Sequence, residues 1–195
     1  MKNSANDSEL WKLFREGDSL AYTKLVETYS RSLYDYGYRI VPDKDFIKDC
    51  LQDVFMELWN RRIRINDTAS VKNYLFKAIR LRIFRQQSKW SLPEQISEDY
   101  HFRFEIDTEA SWIENDETDS TLKRLNTILH TLPARQREII YLRFYENLEF
   151  ETIAQILNIS KQSIYNSLQK SFKKFRAEWL IQLIMLLLTC QVRNF

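Results

Sequence analysis

The sequence predicts an all-α protein: two small helical domains joined by a flexible acidic linker, with a helix-turn-helix in the C-terminal one. Three observations lead there. Two Gly and three Pro among 195 residues are too few for the turns and positive-φ positions of sandwiches, barrels or phosphate-cradling loops. Apolar residues recur at three-to-four spacing along most of the chain. The net charge of +2 is an average over blocks: residues 1–59 carry −3, 60–90 carry +8, 91–119 carry −9 and 120–195 carry +6. Screening acts over about 8 Å at physiological salt, so blocks far apart do not cancel. A polyanion would meet two separate basic surfaces with an acidic stretch between them.

The elements follow in order. Ser8 is placed to cap a short helix ending at Gly17, and Asp18 to cap a longer one. Tyr22, Leu25, Val26, Tyr29, Leu33, Tyr36 and Ile40 form the apolar stripe of that second helix. Pro42 and Asp43 interrupt it. A third helix turns Ile47, Cys50, Leu51, Val54, Phe55, Leu58 and Trp59 inward and shows Asp49, Gln52, Asp53, Met56 and Glu57 on its other face. After a polar loop, Arg61 to Ala69, Ser70 caps a fourth helix with Val71, Tyr74, Leu75, Ala78 and Ile79 inside.

From Arg61 to Lys89 the single acid is Asp67. Arg61, Arg62, Arg64, Lys72, Lys77, Arg80, Arg82 and Arg85 crowd this stretch, with Tyr74, Phe76, Phe84 and Trp90 interleaved. A solvated helix face usually mixes signs, so the pattern points to nucleic acid. Tyr74 fits a core position and a stacking platform equally.

Residues 91–119 lose helical periodicity and carry ten carboxylates against one arginine. They read as a linker, whose 29 residues would reach about 95 Å at most. Helices resume over 120–131 and, after Pro133, over 134–145. The segment 150–168 then reads as helix, tight turn, helix. Ala154 is small where the helices approach, Asn158 tolerates the turn, and Ile153, Leu157, Ile159, Ile164 and Leu168 form the seam. Ser160 caps the second helix, whose outer face offers Lys161, Gln162, Ser163, Tyr165, Asn166, Gln169 and Lys170, then Lys173, Lys174 and Arg176. Short polar side chains at a helix N-terminus followed by a basic tail are how a recognition helix meets duplex DNA.

Composition excludes much else. Cys50 and Cys190 are the two cysteines. They form no CxxC and no disulfide framework, which suits a reducing compartment. His101 and His130, the two histidines, have no ligand or nucleophile at useful spacing. No metal, cofactor, small-molecule substrate or catalytic residue is therefore expected, and the chain is not read as an enzyme. Asp49 and Asp53 share a helix face, but no pocket-forming sequence surrounds them. The opening MKNSANDSEL lacks a signal peptide's apolar core. The apolar run Leu180 to Leu188 is about half of the ~20 residues a membrane span needs. It reads as a buried or partner-facing helix end, and the expected location is cytoplasmic.

Three stretches, in order, resemble the extracytoplasmic-function (ECF) group of bacterial RNA polymerase sigma factors. Asp49-Cys50-Leu51-Gln52-Asp53-Val54-Phe55 is similar to the family's "D-x-x-Q-[DE]-x-F" helix. Residues 71–80, VKNYLFKAIR, look like the start of its promoter-melting helix. Leu132-Pro133-Ala134-Arg135-Gln136-Arg137-Glu138 is similar to its "L-P-x-x-x-R-E" signature. The resemblance implies a region 2-like domain over 8–90, the acidic linker over 91–119, a region 4-like helix-turn-helix over 120–180 and an apolar tail over 181–195.

It further implies partners. Asp49, Gln52, Asp53, Met56 and Glu57 would bind core RNA polymerase. Arg61, Arg62, Arg64, Lys72, Asn73, Tyr74, Lys77 and Arg80 would melt and hold the element upstream of the start site. Lys161, Gln162, Ser163, Tyr165, Asn166, Gln169, Lys170, Lys173 and Lys174 would bind duplex promoter DNA. The linker would thread the polymerase's nucleic-acid channel, or else serve as a soluble tether. Leu81, Arg85, Thr152, Asn158 and the Tyr165-Asn166 pair depart from common family choices, which bears on promoter sequence rather than class. Tyr165-Asn166 and the apolar tail resemble Bacteroidetes-type members, which implies an anti-sigma partner, membrane-bound by that analogy. The competing reading is a helix-turn-helix regulator that acts without being a polymerase subunit.

Overall fold

The computed structural model describes residues 4–65, 70–88, 100–106 and 116–192, with side chains over 7–65, 70–87, 100–106 and 121–177. Among the described residues every regular element is a helix: α1 Ser4–Glu16, α2 Ser19–Ile40, α3 Lys44–Arg61, α4 Val71–Ser88, α5 Asp116–Thr131, α6 Ala134–Ile140, α7 Phe150–Leu157 and α8 Lys161–Val192. None of these, over the described residues, is long and apolar enough to cross a membrane. The chain divides into two compact units, Met1–His101 with Gln155–Asn158, and Phe102–Ala154 with Ile159–Phe195.

The first unit packs α1 to α4 around one core. Asp18 caps α2, its carboxylate accepting from the N–H groups of Leu20 at 2.7 Å and Ala21 at 3.0 Å. Asp43 caps α3 in the same way. Gly17, at φ +99°, ends α1, and the Asp18 N–H reaches back to the Leu13 carbonyl. Trp11 and Phe14 of α1 are fully buried, as are Leu25, Leu33, Tyr36, Ile47, Leu75 and Ile79. A Cβ on Gly37 would lie 3.1–3.2 Å from Ile47 and Ile83, so glycine is what lets α2 approach α3 and α4. Helix α1 starts at Ser4, a turn earlier than a Ser8 cap predicts. Asp7, inside that extra turn, accepts a 2.6 Å bond from the Tyr29 hydroxyl, so tertiary contact extends the helix past its local stop signal.

The second unit begins inside the stretch expected to be linker. Tyr100–Ile106 has no helical periodicity because its side chains alternate. Phe102 and Phe104 are buried, and Arg103 between them and His101 and Glu105 on either side are exposed. Phe102 and Phe104 pack on Tyr141, with ring centroids 5.7 and 5.4 Å apart. The Asn126 side chain bonds both the N–H and the C=O of Ile106. Arg137 donates to the Phe102 carbonyl at 2.8 Å and to those of His130 and Leu132. An acidic composition hid a two-residue alternation that docks this segment. Of the rest of the expected linker, 91–99 and 107–115 lie outside the described residues, and 116–119 belong to α5.

Helix α5 starts at Asp116, ahead of the expected 120. The helix expected over 134–145 instead widens into a π-helical turn, Tyr141–Tyr145. That turn brings Glu146 back over Tyr141: its N–H bonds the Tyr141 carbonyl, and its carboxylate accepts the Tyr141 hydroxyl at 2.7 Å. Asn158, at φ +54°, closes α7, with the Ile159 N–H on the Ala154 carbonyl at 3.0 Å. Helix α8 runs on past 180 to Val192. The side chains of Trp179 to Leu188 lie outside the described residues.

Candidate polymerase and nucleic-acid interfaces

Helix α3 buries Ile47, Cys50, Leu51, Val54, Phe55 and Leu58, which forces Asp49, Gln52 and Met56 outward. Met56 is 53% exposed, unusual for a large apolar side chain. Asp53 and Glu57 share this face but are tied to α4. Arg82 donates to Glu57 at 2.6 Å and lies 3.6 Å from Asp53. Gln86 donates to Asp53 at 2.9 Å and accepts from the Cys50 thiol at 3.3 Å. Arg61 pairs with Glu57 at 3.1 Å. Burial, then the Asp53 carboxylate, push the Cys50 thiol up to about 11.

The basic stretch divides into outward and inward groups. Arg61, Arg64 and Lys77 are exposed. Arg62 is half-buried; it stacks 4.4 Å from the Trp59 centroid and donates to the Trp59 carbonyl. Lys72 sits 5.5 Å over Phe76. The Asn73 N–H meets the Ser70 hydroxyl at 3.4 Å. Tyr74 is half-buried against Trp11, ring centroids 5.5 Å apart, and its phenol is held above the usual range by burial and then by Glu57.

Two expectations fail here. Arg80 is only 2% exposed, with its guanidinium 4.7 Å over Phe84 and 5.6 Å over Tyr100. It is part of the first unit's packing, not of its surface. Phe76, expected among the stacking groups, is fully buried against Tyr36. Both lie on the inner side of α4, where the core has prior claim. Residues 66–69 of the preceding loop lie outside the described residues.

In the second unit Ser160 caps α8, its hydroxyl accepting the Ser163 N–H at 3.1 Å and lying 2.8 Å from the Ser163 hydroxyl. Ile164, Leu168 and Ser171 are buried. That leaves Lys161, Gln162, Ser163, Tyr165, Asn166, Gln169, Lys170 and Lys173 exposed along one side. Gln162 donates to Asn166 at 3.0 Å. Lys161 is paired with Glu151 of α7, an interaction that lowers the Glu151 pKa and raises that of Lys161. Lys174 is turned away from the row; its ammonium donates to the Thr131 carbonyl at 2.8 Å and so caps α5.

Sequence reasoning missed four aromatic side chains. Phe144 and Phe172, 61% and 46% exposed, meet edge to face at 6.3 Å, with Tyr145 also exposed beside Phe144. Phe150 was taken only as a helix start, yet its ring lies 4.8 Å from that of Tyr165.

The architecture is that of a two-module, all-helical protein. Residues 25–89 match the model "Sigma-70 region 2", and residues 122–175 match "Sigma-70, region 4". The chain belongs to the sigma-70 family and is an ECF-type RNA polymerase sigma factor, a class that binds core polymerase and directs it to promoters. As a family, sigma factors are not enzymes. It is 25% identical over 166 residues to "RNA polymerase sigma-E factor" of Streptomyces avermitilis, covering 83% of this chain and 87% of that protein. It is 24% identical to "ECF RNA polymerase sigma factor SigM" of Bacillus subtilis, covering 79% and 92%.

Two solved structures share the fold. One is CnrH in complex with the cytosolic domain of CnrY, with TM-score 0.58 and 18% identity over 88% of this chain and 95% of that one. The other is the Bartonella quintana sigma factor RpoE in complex with the anti-sigma factor NepR, with TM-score 0.56 and 19% identity over 82% and 97%.

Proposed function

We propose that the two units divide the work of initiation. The α3 face of Asp49, Gln52 and Met56, with Asp53 and Glu57 braced behind it, docks on core RNA polymerase. The cations Arg61, Arg64, Lys72 and Lys77, with Asn73 and the half-buried Tyr74, hold the opened upstream element. Extruding a base costs a few kcal/mol, and stacking returns about 1–3 kcal/mol per base. The α8 row reads the duplex element. The observation that carries this reading is that row: eight polar or aromatic side chains exposed on one side of a helix whose other side is locked by Ile164 and Leu168.

Run-off transcription with core polymerase and genomic fragments tests it. Added chain should yield discrete start sites; a chain that binds fragments without core polymerase and starts no transcripts is instead a stand-alone regulator. Asp49→Lys with Gln52→Ala should abolish core binding in a pull-down while leaving the thermal melt unchanged, and retained binding would remove the docking face.

The protein acts by binding, with no reaction of its own, and its place of action is the cytoplasm. An anti-sigma partner is supported by the company its fold keeps, since both solved neighbours were captured with a partner protein. Capture of a cognate anti-sigma factor that suppresses the run-off signal is the expected result.

A further inference from the structure

Around the first turn of α8 the side chains form a closed ring of contacts with the first turn of α7. Phe150 packs against Tyr165 with ring centroids 4.8 Å apart and the rings tilted by 60°. Glu151, the next residue, pairs with Lys161, which lies one turn before Tyr165 on α8 and has its ammonium 5.9 Å from the Tyr165 centroid. Arg143 lies 4.8 Å over the Phe150 ring. It is itself fixed, donating to the Leu148 carbonyl at 3.0 Å and lying 3.5 Å from Glu149. Tyr165 stays 39% exposed at the end of this series.

We infer that Phe150 is a positioning residue for promoter readout: it orients Tyr165, so base discrimination by α8 depends on a side chain of α7 that is off the recognition helix. The inference rests on the reading of the α8 row as the duplex-reading surface. Phe150 is half-buried, whereas Ile153, Ile164 and Leu168 close the seam between the helices. The hairpin therefore has its core without Phe150. What Phe150 adds is an aromatic surface against one exposed ring. An unsupported tyrosine on a helix surface samples several rotamers and adapts to whichever base edge it meets. A ring held by a partner meets one geometry and penalises the others. The ion pair of Glu151 with Lys161 steadies the same turn from the other side. A large planar side chain such as Tyr165 gains most from such a support.

The test uses the full chain with core polymerase, transcribing a library of duplexes randomised across the upstream element, with transcripts sequenced. Tyr165→Ala locates the positions whose base preference depends on Tyr165. Phe150→Met, which keeps the volume and removes the ring, should lower discrimination at those same positions by roughly two- to tenfold, the range an aromatic pair supplies. Preference elsewhere and total core binding should be unchanged. Phe150→Tyr should restore the wild-type profile. A merely structural role would instead lower transcription from all sequences alike, with no rescue of preference by a ring.

If Phe150→Met unfolds the second unit, Arg143→Gln takes its place, with a smaller loss expected at the same positions. A wild-type profile for the variant lacking the ring, in a chain where Tyr165→Ala changes the profile, overturns the positioning role and leaves the α8 reading intact. No change with Tyr165→Ala overturns the α8 reading at this residue, and the inference with it.

Discussion

Helices α4 and α8 both carry rows of basic residues, and the fold uses them differently. On α4 Arg80 is buried beneath Phe84 and Tyr100, and Arg82 is turned onto Asp53 and Glu57 of α3. On α8 Lys170 and Lys173 stay exposed, Lys161 pairs with Glu151 of α7, and Lys174 turns back to cap α5. The difference lies in the neighbours. Helix α4 packs against α1, α2 and α3, so about half of its circumference is claimed by core and by a carboxylate-bearing helix. The first half of α8 packs against α5 and α6 through one side, with Ile164, Leu168 and Ser171 buried, and leaves its other side exposed. A basic residue thus stays available to nucleic acid to the extent that packing leaves its head group exposed, as it does for Lys77, Lys170 and Lys173 but not for Arg80.

Substitutions in α1 and α4 press on that contrast most strongly. Trp11→Ala should destabilise the first unit by about 3–5 kcal/mol in chemical denaturation, because the ring is fully buried beside Phe14 and Tyr74. The region 2 match starts only at residue 25, so a negligible effect would mean that α1 is dispensable to the unit. Arg80→Ala should cost about 2–3 kcal/mol through lost packing, while exposed Lys77→Ala should stay within about 0.5 kcal/mol. Equal effects would erase the distinction between the inner and outer cations of α4.

On α8 the expected effects are on binding rather than stability. Lys173→Ala should reduce the slope of log affinity against log salt by about 0.9, the value of one phosphate contact. Lys174→Ala should leave that slope unchanged and lower the thermal midpoint slightly by uncapping α5. A slope change for both would return Lys174 to the DNA-facing row. The smallest effect concerns Cys50. Burial raises its thiol to about 11, so alkylation at pH 8 should be far slower than for an unfolded control. Above about pH 9 the unfolded thiol releases its proton first, so this group's contribution to stability falls with rising pH until about 11.

How much was legible varies by element. The caps Asp18 and Ser160, the αL turn at Asn158 and the core stripes of α2 and α3 could be read from residue type and spacing, because each depends on contacts within a few positions. The five residues expected to meet polymerase do share one face of α3, since helical periodicity alone groups them. The docking of Phe102 and Phe104 was not legible. Their alternation is two residues long and lies in a stretch whose charge suggested a tether. Phe150 was missed because its significance lies in Tyr165, fifteen positions away.

The sequence by itself determined the helical class, the order of the two modules and the residues available to each surface. These follow from periodicity, capping and charge, which act locally. The tertiary structure alone decided which of those residues the surfaces keep. Arg80 was drawn into a core, Arg82 and Lys174 onto neighbouring helices, and Tyr165 onto a supporting ring. The physical reason is that a cation or an aromatic ring has no fixed role of its own. It pairs with whatever polar or aromatic group the packing of distant segments brings within reach.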